Sequence, residues 1–253
     1  MSSNNSSKTV LVTGATRGLG LTFAQYYTKA GWKVIGTARN VDKANDLKAL
    51  SPFKILQLDT SDEASIITMA KQLNGVPIDL LINNAGILEP GSYASVSKDS
   101  FMRHFEINSV GPFLTTRALH ANLKLAADAN GLAIVASVTS LLGSIQANLD
   151  GALGRPLQKV YYDNHKLPNG EIYSYRASKA ALNMINANLA MNLQEDKIVA
   201  VVLQPGYVKT DLTQHNGVVL PEDSIAGMAK VISGLTLDDT AKFFDFQGPE
   251  LPW

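Results

Sequence analysis

Cysteine is missing altogether from the 253 residues. That absence excludes disulfide frameworks, thiolate zinc sites, iron–sulfur clusters and cysteine nucleophiles together, so any redox chemistry must run on a bound cofactor. Charge of one sign is not in excess either: 22 basic residues balance 22 acidic ones. The chain therefore lacks the electrostatic footprint of a nucleic-acid or anionic-membrane binder. Long apolar runs are also absent. The longest aliphatic stretch, 198–203, falls far short of the ~20 residues needed to cross a bilayer. Residues 1–7, all small and polar after the first methionine, carry neither the basic nor the apolar segment of a signal peptide. The expectation is a cytoplasmic protein with a disordered tail over 1–7. His104, His120, His165 and His215 show no paired ligand spacing, so no metal is expected.

What is present is apolar material, 45% of the chain, enough for a sizeable core. Short β-branched runs at 9–13, 33–38, 53–58, 78–83, 132–137 and 197–203 alternate with amphipathic stretches. The first four start 20 to 25 residues apart, which leaves room for one crossover helix each. The runs are mostly continuous rather than alternating, as expected of strands covered on both faces. This pattern predicts an α/β fold of Rossmann type, a doubly wound parallel sheet with helices on both faces. No linker or repeat divides the chain, so 8–253 reads as a single domain. Its least regular stretch, 143–172, reads as an extended loop with room for one short helix.

Directly after the first strand comes Thr13-Gly14-Ala15-Thr16-Arg17-Gly18-Leu19-Gly20, running into a helical segment. Gly14 permits a tight turn, Gly18 a close backbone approach to a pyrophosphate, and Gly20 close packing of helix on strand. The helix N-terminus adds free N–H groups and partial positive charge. Between a first strand and a first helix, this turn reads as a dinucleotide site, with Thr16 and Leu19 among its contacts.

The spacing G-x-x-x-G-x-G, with Asn83-Asn84-Ala85-Gly86 after the fourth strand, resembles the short-chain dehydrogenase/reductase family over essentially the whole chain. The resemblance implies cofactor contacts at Asn84, Ala85 and Gly86, and an adenine contact at Asp59. Charge then argues for the cofactor. Where an NAD enzyme places an acid at the end of the second strand, this chain has Thr37-Ala38-Arg39-Asn40. Arg39 can bond a 2′-phosphate bidentately and Arg17 adds a second cation, which favours NADP(H). Asp42, the nearest acid, is expected to start the next helix.

Tyr175 and Lys179, four residues apart in a strong helix-forming stretch, share one helix face. An ordinary phenol titrates near 10, and a nearby cation, with the charge of an oxidised nicotinamide, would acidify it. A second Y-x-x-x-K, Tyr162 to Lys166, runs straight into Leu167-Pro168-Asn169-Gly170, which breaks a helix. It is set aside, and Tyr173, two residues from Tyr175, is expected to pack in core or loop. By resemblance the catalytic set is completed by Ser140, from the pattern Ser-x-x-Gly, bonding a substrate carbonyl, and by Asn108, holding a water linked to Lys179. Ser137 and Thr139 are then structural. Pro205, Gly206, Val208 and Thr210 correspond to the family's P-G-x-V-x-T segment beside the nicotinamide.

The resemblance is nearest to the carbonyl-reducing members called sniffer-like or C-factor-like. Ser140 and Tyr175 stand 35 positions apart, longer than most members use. That extra segment leaves monomer and homodimer both open. Leu141, Leu142, Ile145, Tyr207 and Trp253 are candidates for a pocket wall, with ordinary core packing as the alternative. The implied activity is NADPH-dependent reduction of a ketone or aldehyde, or the reverse oxidation of an alcohol, on a small-molecule substrate. The competing reading is an NADP-binding sensor or regulatory protein whose catalysis has faded.

Overall fold

The computed structural model describes residues 7–149 and 172–253. The expected tail, apart from Ser7, lies outside them, as do the set-aside pair Tyr162 and Lys166, His165 and most of the expected loop. Seven parallel strands form one sheet in the order β3-β2-β1-β4-β5-β6-β7. They are β1 (Thr9–Val12), β2 (Lys33–Ala38), β3 (Lys54–Gln57), β4 (Leu80–Asn83), β5 (Ala133–Val138), β6 (Ile198–Gln204) and β7 (Phe243–Asp245). Around them run α1 (Gly18–Lys29), α2 (Asn45–Ala49), α3 (Glu63–Lys71), α4 (Lys98–Phe105), α5 (Gly111–Ala118), α6 (His120–Asn130), α7 (Ile145–Leu149), α8 (Tyr173–Leu193) and α9 (Pro221–Gly234).

The alternation of the strand pleat divides the core in two. Val10 and Val12 point to one face, under Phe23 of α1 and Ile225, Met228 and Ile232 of α9. Leu11 points to the other, under Ile66 and Met69 of α3, Leu123 of α6 and Leu189 and Leu193 of α8. Apolar residues on both sides of each strand are what a sheet covered by helices requires. The strand order reverses between β1 and β4, and at such a switch point the loops part to leave a crevice.

Three readings of the sequence need adjustment. β7 was not anticipated; it has only three residues and follows Ala241, whose φ is +63°. Phe53 and Ile78 fall outside their strands, Phe53 lying exposed against the Lys33 and Lys54 ammonium groups. Asp42 does not start α2: it sits in a turn where its N–H donates to Asn40 Oδ1 (3.0 Å), and Ala44 precedes the helix. Of the expected loop, the described part begins where a 3₁₀ turn, Leu141–Gly143, ends, and α7 is a short helix of the kind for which the sequence left room.

Between α4 and α5 the helix widens into a π-helical turn, Glu106–Val110, which buries Asn108 and Ser109. Among the described residues no helix is long and apolar enough to cross a membrane.

Phe243 is fully buried where β7 closes the sheet edge, with Val202, Leu251 and Leu141 around it. Truncating it to Ala is expected to cost about 3–5 kcal/mol in equilibrium urea unfolding; a loss under ~1 kcal/mol would mean that β7 is not part of the cooperative core.

Candidate active site

The crevice is built on a seam between the ends of β1 and β4. Thr13 Oγ1 accepts the backbone N–H groups of Asn84 (2.9 Å) and Ala85 (3.0 Å). Asn84 Nδ2 in turn donates to the Thr13 carbonyl at 3.0 Å. Gly14 has φ +66°, and a Cβ on Gly20 would collide with the Gly14 carbonyl and stand 2.6 Å from Asn84 Nδ2. Only glycine at position 20 allows α1 to begin this close to the strand. The first turn of α1 has no side-chain cap and no acid. Its Gly18, Leu19 and Gly20 line the cavity, so uncapped N–H groups and the positive end of the helix dipole face it. This donor set fits the pyrophosphate of a dinucleotide.

The cavity, about 290 Å³, is lined by residues above the strand ends from β3 to β6. Gly14, the run Thr16 to Gly20, Arg39, Asp59, the Asn84-Ala85-Gly86 corner, Tyr175, Lys179, Pro205 and Thr210 all form its wall. Gly206 and Val208 do not. The Gly206 N–H is turned onto Gln204 Oε1 (2.9 Å), and Val208 is buried, bridged to Val219. The wall also includes Thr37, Ser61, Ile87, Ile107, Asp211 and Leu212, to which the sequence reading gave no role. Two have identifiable tasks: Thr37 Oγ1 accepts the Gly14 N–H (3.2 Å), and Ser61 holds Asp59. A hydroxyl in the otherwise apolar Val34-Ile35-Gly36-Thr37-Ala38 was the available signal for Thr37.

Lys179 Nζ donates to the Val138 carbonyl (2.8 Å) and lies 5.8 Å from the centroid of the Tyr175 ring. Ser140 hydrogen-bonds the Tyr175 phenol and caps the 3₁₀ turn by accepting the Leu142 N–H (3.2 Å). The pattern Ser-x-x-Gly has a local cause. A Cβ on Gly143 would lie 2.7 Å from the Lys179 carbonyl carbon, so a glycine there lets the Ser140 turn rest on α8 beside Lys179. Asn108 spends its side chain on structure: Oδ1 accepts the Ile87 N–H (2.9 Å), while Nδ2 donates to the Ile87 carbonyl (2.9 Å) and to Ser178 Oγ (3.0 Å). Ser137 and Thr139 bond Asn83 and Asn183.

Burial governs both ionisable groups at the centre. It pushes the Tyr175 phenol up to about 12, against the acidifying hydrogen bond from Ser140, and the Lys179 ammonium down to about 8. The expected acidification of Tyr175 rests on Lys179 together with an oxidised nicotinamide, whereas in the ligand-free protein desolvation sets the direction. At the β2–β3 end, hydrogen bonds from Ser61 hold the Asp59 carboxyl below the usual range, and the nearby Arg39 adds to this. Arg39 is exposed and makes no ion pair among the described residues, whereas Arg17 is paired with Asp211 at 3.1 Å.

Of the candidate wall residues, Leu142 packs on Tyr175 with Ile172 and Leu88, and Leu141 packs on the Phe243 cluster. Tyr207 packs against the α9-side core, Ile145 is exposed, and Trp253 stacks on Phe243 while its carbonyl accepts the Gln146 N–H (2.9 Å). Tyr173 packs against Tyr93. His120 faces Asp196 and His215 faces Asp211, and no group of three metal-ligating side chains occurs among the described residues.

The short chain dehydrogenase family model matches residues 8–150 and 163–218, and the chain belongs to that family. The match passes over residues 151–162, within the segment that separates Ser140 from Tyr175. A relative, the C-signal protein of Myxococcus xanthus, is 37% identical over 183 residues, covering 70% of this chain and 93% of its own. NADPH-bound carbonyl reductase from chicken fatty liver superposes with a TM-score of 0.82 at 31% identity, covering 98% of this chain and 99% of that one. Carbonyl reductase Sniffer of D. melanogaster gives 0.84 at 26% identity, with 98% and 100% covered.

The depressed Lys179 gives a signed expectation for stability. Between pH 8 and pH 10.5 the unfolded lysine binds a proton that the folded one has lost, so this residue destabilises the fold most below pH 8 and the penalty fades as pH rises. Lys179→Met should stabilise the ligand-free protein at pH 7, a shift of this size being worth on the order of 3 kcal/mol. The gain should shrink by pH 10. A gain that is constant across this range in urea titrations would contradict the assignment.

Proposed function

We propose that this protein is an NADPH-dependent carbonyl reductase, acting on a ketone or aldehyde with Tyr175 as proton donor. The observation that carries the reading is the convergence of Tyr175, Lys179 and the Ser140 turn at one end of a cleft. The other end of that cleft holds an uncapped helix N-terminus and Arg39, which makes no ion pair among the described residues. NADPH bound there supplies the hydride. The glycine turn and α1 N-terminus hold its pyrophosphate, and Asp59 lies on the adenine side. Arg39 takes the 2′-phosphate, with Arg17 joining it if the exposed pair with Asp211 opens; such pairs are worth only ~0–1 kcal/mol. Pro205 and Thr210 border the nicotinamide end.

The chain's own contribution is to hold and deliver one proton. A phenol kept neutral by burial is a donor in waiting, and it passes its proton to the carbonyl oxygen as charge develops there. Ser140, bonded to the same phenol, orients that oxygen. Lys179, fixed on the Val138 carbonyl, places positive charge beside the phenolate left behind. Asn108 keeps the Ile87 backbone and Ser178 in register around them.

The test is to follow NADPH absorbance with a panel of aldehydes and ketones. Wild type should consume NADPH, and Tyr175→Phe should lower kcat by roughly 10²–10⁴-fold with dinucleotide binding retained. Undiminished turnover in that variant would refute the assignment, and binding without turnover of any substrate would favour the sensor reading. For the cofactor, Arg39→Ala should raise KM for NADPH about tenfold or more and leave KM for NADH nearly unchanged; equal effects on both would remove Arg39 from the 2′-phosphate.

A further inference from the structure

His104, on α4, is fully buried against Tyr175, and the chemistry above makes no use of it. The two rings meet edge to face, with centroids 6.4 Å apart and planes at 81°. His104 Nε2 accepts the Glu89 backbone N–H at 3.1 Å, so Nδ1 carries the proton and donates to the Ser100 carbonyl at 2.7 Å. Both nitrogens are satisfied and the ring cannot turn without breaking both bonds.

The Glu89 N–H gains importance from its neighbours in the chain. Ile87 is tied through both its N–H and its carbonyl to Asn108. Leu88 is partly buried against the small cluster of Leu142, Ile172 and Tyr175. Three consecutive residues therefore form a strap beside that cluster, anchored by Asn108 at one end and by His104 at the other, with Leu88 packed on it between them. The same face of α4 is joined to the start of α8 where Ser100 Oγ meets Ser174 Oγ at 3.1 Å, one residue before Tyr175. Arg103 clamps the Glu89 carboxylate at 2.6 Å from the solvent side.

We propose that His104 is a positioning residue for Tyr175: its bond to the Glu89 N–H holds the strap of Ile87, Leu88 and Glu89 against the phenol, and its ring fixes the phenol plane so that the hydroxyl meets Ser140. This rests on the reductase reading of Tyr175 and adds to it a residue that touches neither substrate nor cofactor. A buried histidine that merely fills space would affect stability alone. One that positions the proton donor affects the phenol itself, and small misplacements of a reacting group are costly to rate.

The experiment compares His104→Phe, which keeps a ring but leaves the Glu89 N–H without its acceptor, with His104→Gln, whose amide can accept from Glu89 and donate to Ser100. Two readouts are taken on each. The first is the titration of Tyr175 in [13C]tyrosine-labelled protein, its resonance identified by its loss in Tyr175→Phe. The second is steady-state kinetics with NADPH and a carbonyl substrate. In His104→Phe the loosened strap admits water, so the phenol should titrate lower, moving from about 12 toward its ordinary value. Its kcat should fall roughly ten- to a hundredfold, while carbonyl KM and NADPH affinity stay within about twofold. His104→Gln should keep the wild-type titration and most of kcat.

The proposal is overturned if His104→Phe leaves titration and kcat unchanged, or if His104→Gln is as impaired as His104→Phe. Should wild type reduce no carbonyl at all, the reductase reading fails, and the titration still decides the role of His104 by itself. If His104→Phe does not fold, Glu89→Pro deletes the donated N–H from the loop side and must reproduce the same two changes, with Glu89→Ala, which keeps the N–H, as the near-wild-type control.

Discussion

The structure depends on a short seam of hydrogen bonds where β1 and β4 end. A threonine hydroxyl on one strand takes two consecutive backbone N–H groups from the next, and the Asn84 side chain returns the bond to the Thr13 carbonyl. Strands that diverge at a switch point would otherwise leave these backbone groups facing an empty crevice, at a cost of ~1–3 kcal/mol for each one unsatisfied. Pairing them across the gap holds the crevice open at fixed width. The glycine turn on one side and the Asn84-Ala85-Gly86 corner on the other then become rigid walls, and α1 can start against the strand only because position 20 has no side chain.

The chemistry at the far end is set by water exclusion. Tyr175 is buried with Leu142, Ile172 and Leu88, and Lys179 against the end of β5, and burial shifts each toward its neutral form. Such a pair is poised in opposite senses: the phenol retains its proton and the amine releases one easily. A charge brought into this environment is felt strongly, because little solvent screens it. The site is thus prepared to respond to whatever charge a bound ligand develops, which a solvated tyrosine could not do.

Much of this was legible in the sequence. Six of the seven strands announced themselves as β-branched runs, because a strand covered on both faces has few polar positions to blur it. The glycine turn, Arg39 and the Tyr175–Lys179 spacing are local patterns read within a few residues. Ser140 was found through a family pattern whose physical reason, the contact of Gly143 with the α8 backbone, only the fold exposes. What escaped was non-local. Three residues of β7 are too few to carry a period, and the tasks of Thr13, Thr37 and Ser61 depend on partners brought by other elements. The burial that raises Tyr175 in the ligand-free protein was not legible either, since spacing reports proximity and says nothing of solvent.

The π-helical turn between α4 and α5 has a consequence for how this chain can change. It carries one more residue per turn than the helices it joins, so residues before and after it are offset by about 100° from the phase of a regular helix. His104 upstream and Thr115 downstream are both fully buried under that offset, with Asn108 and Ser109 turned onto Ser178 between them. Deleting a single residue here would restore ideal pitch and leave the two flanking helices facing as they do, but it would remove the widened turn that brings Asn108 and Ser109 onto Ser178. The extra residue thus serves those bonds.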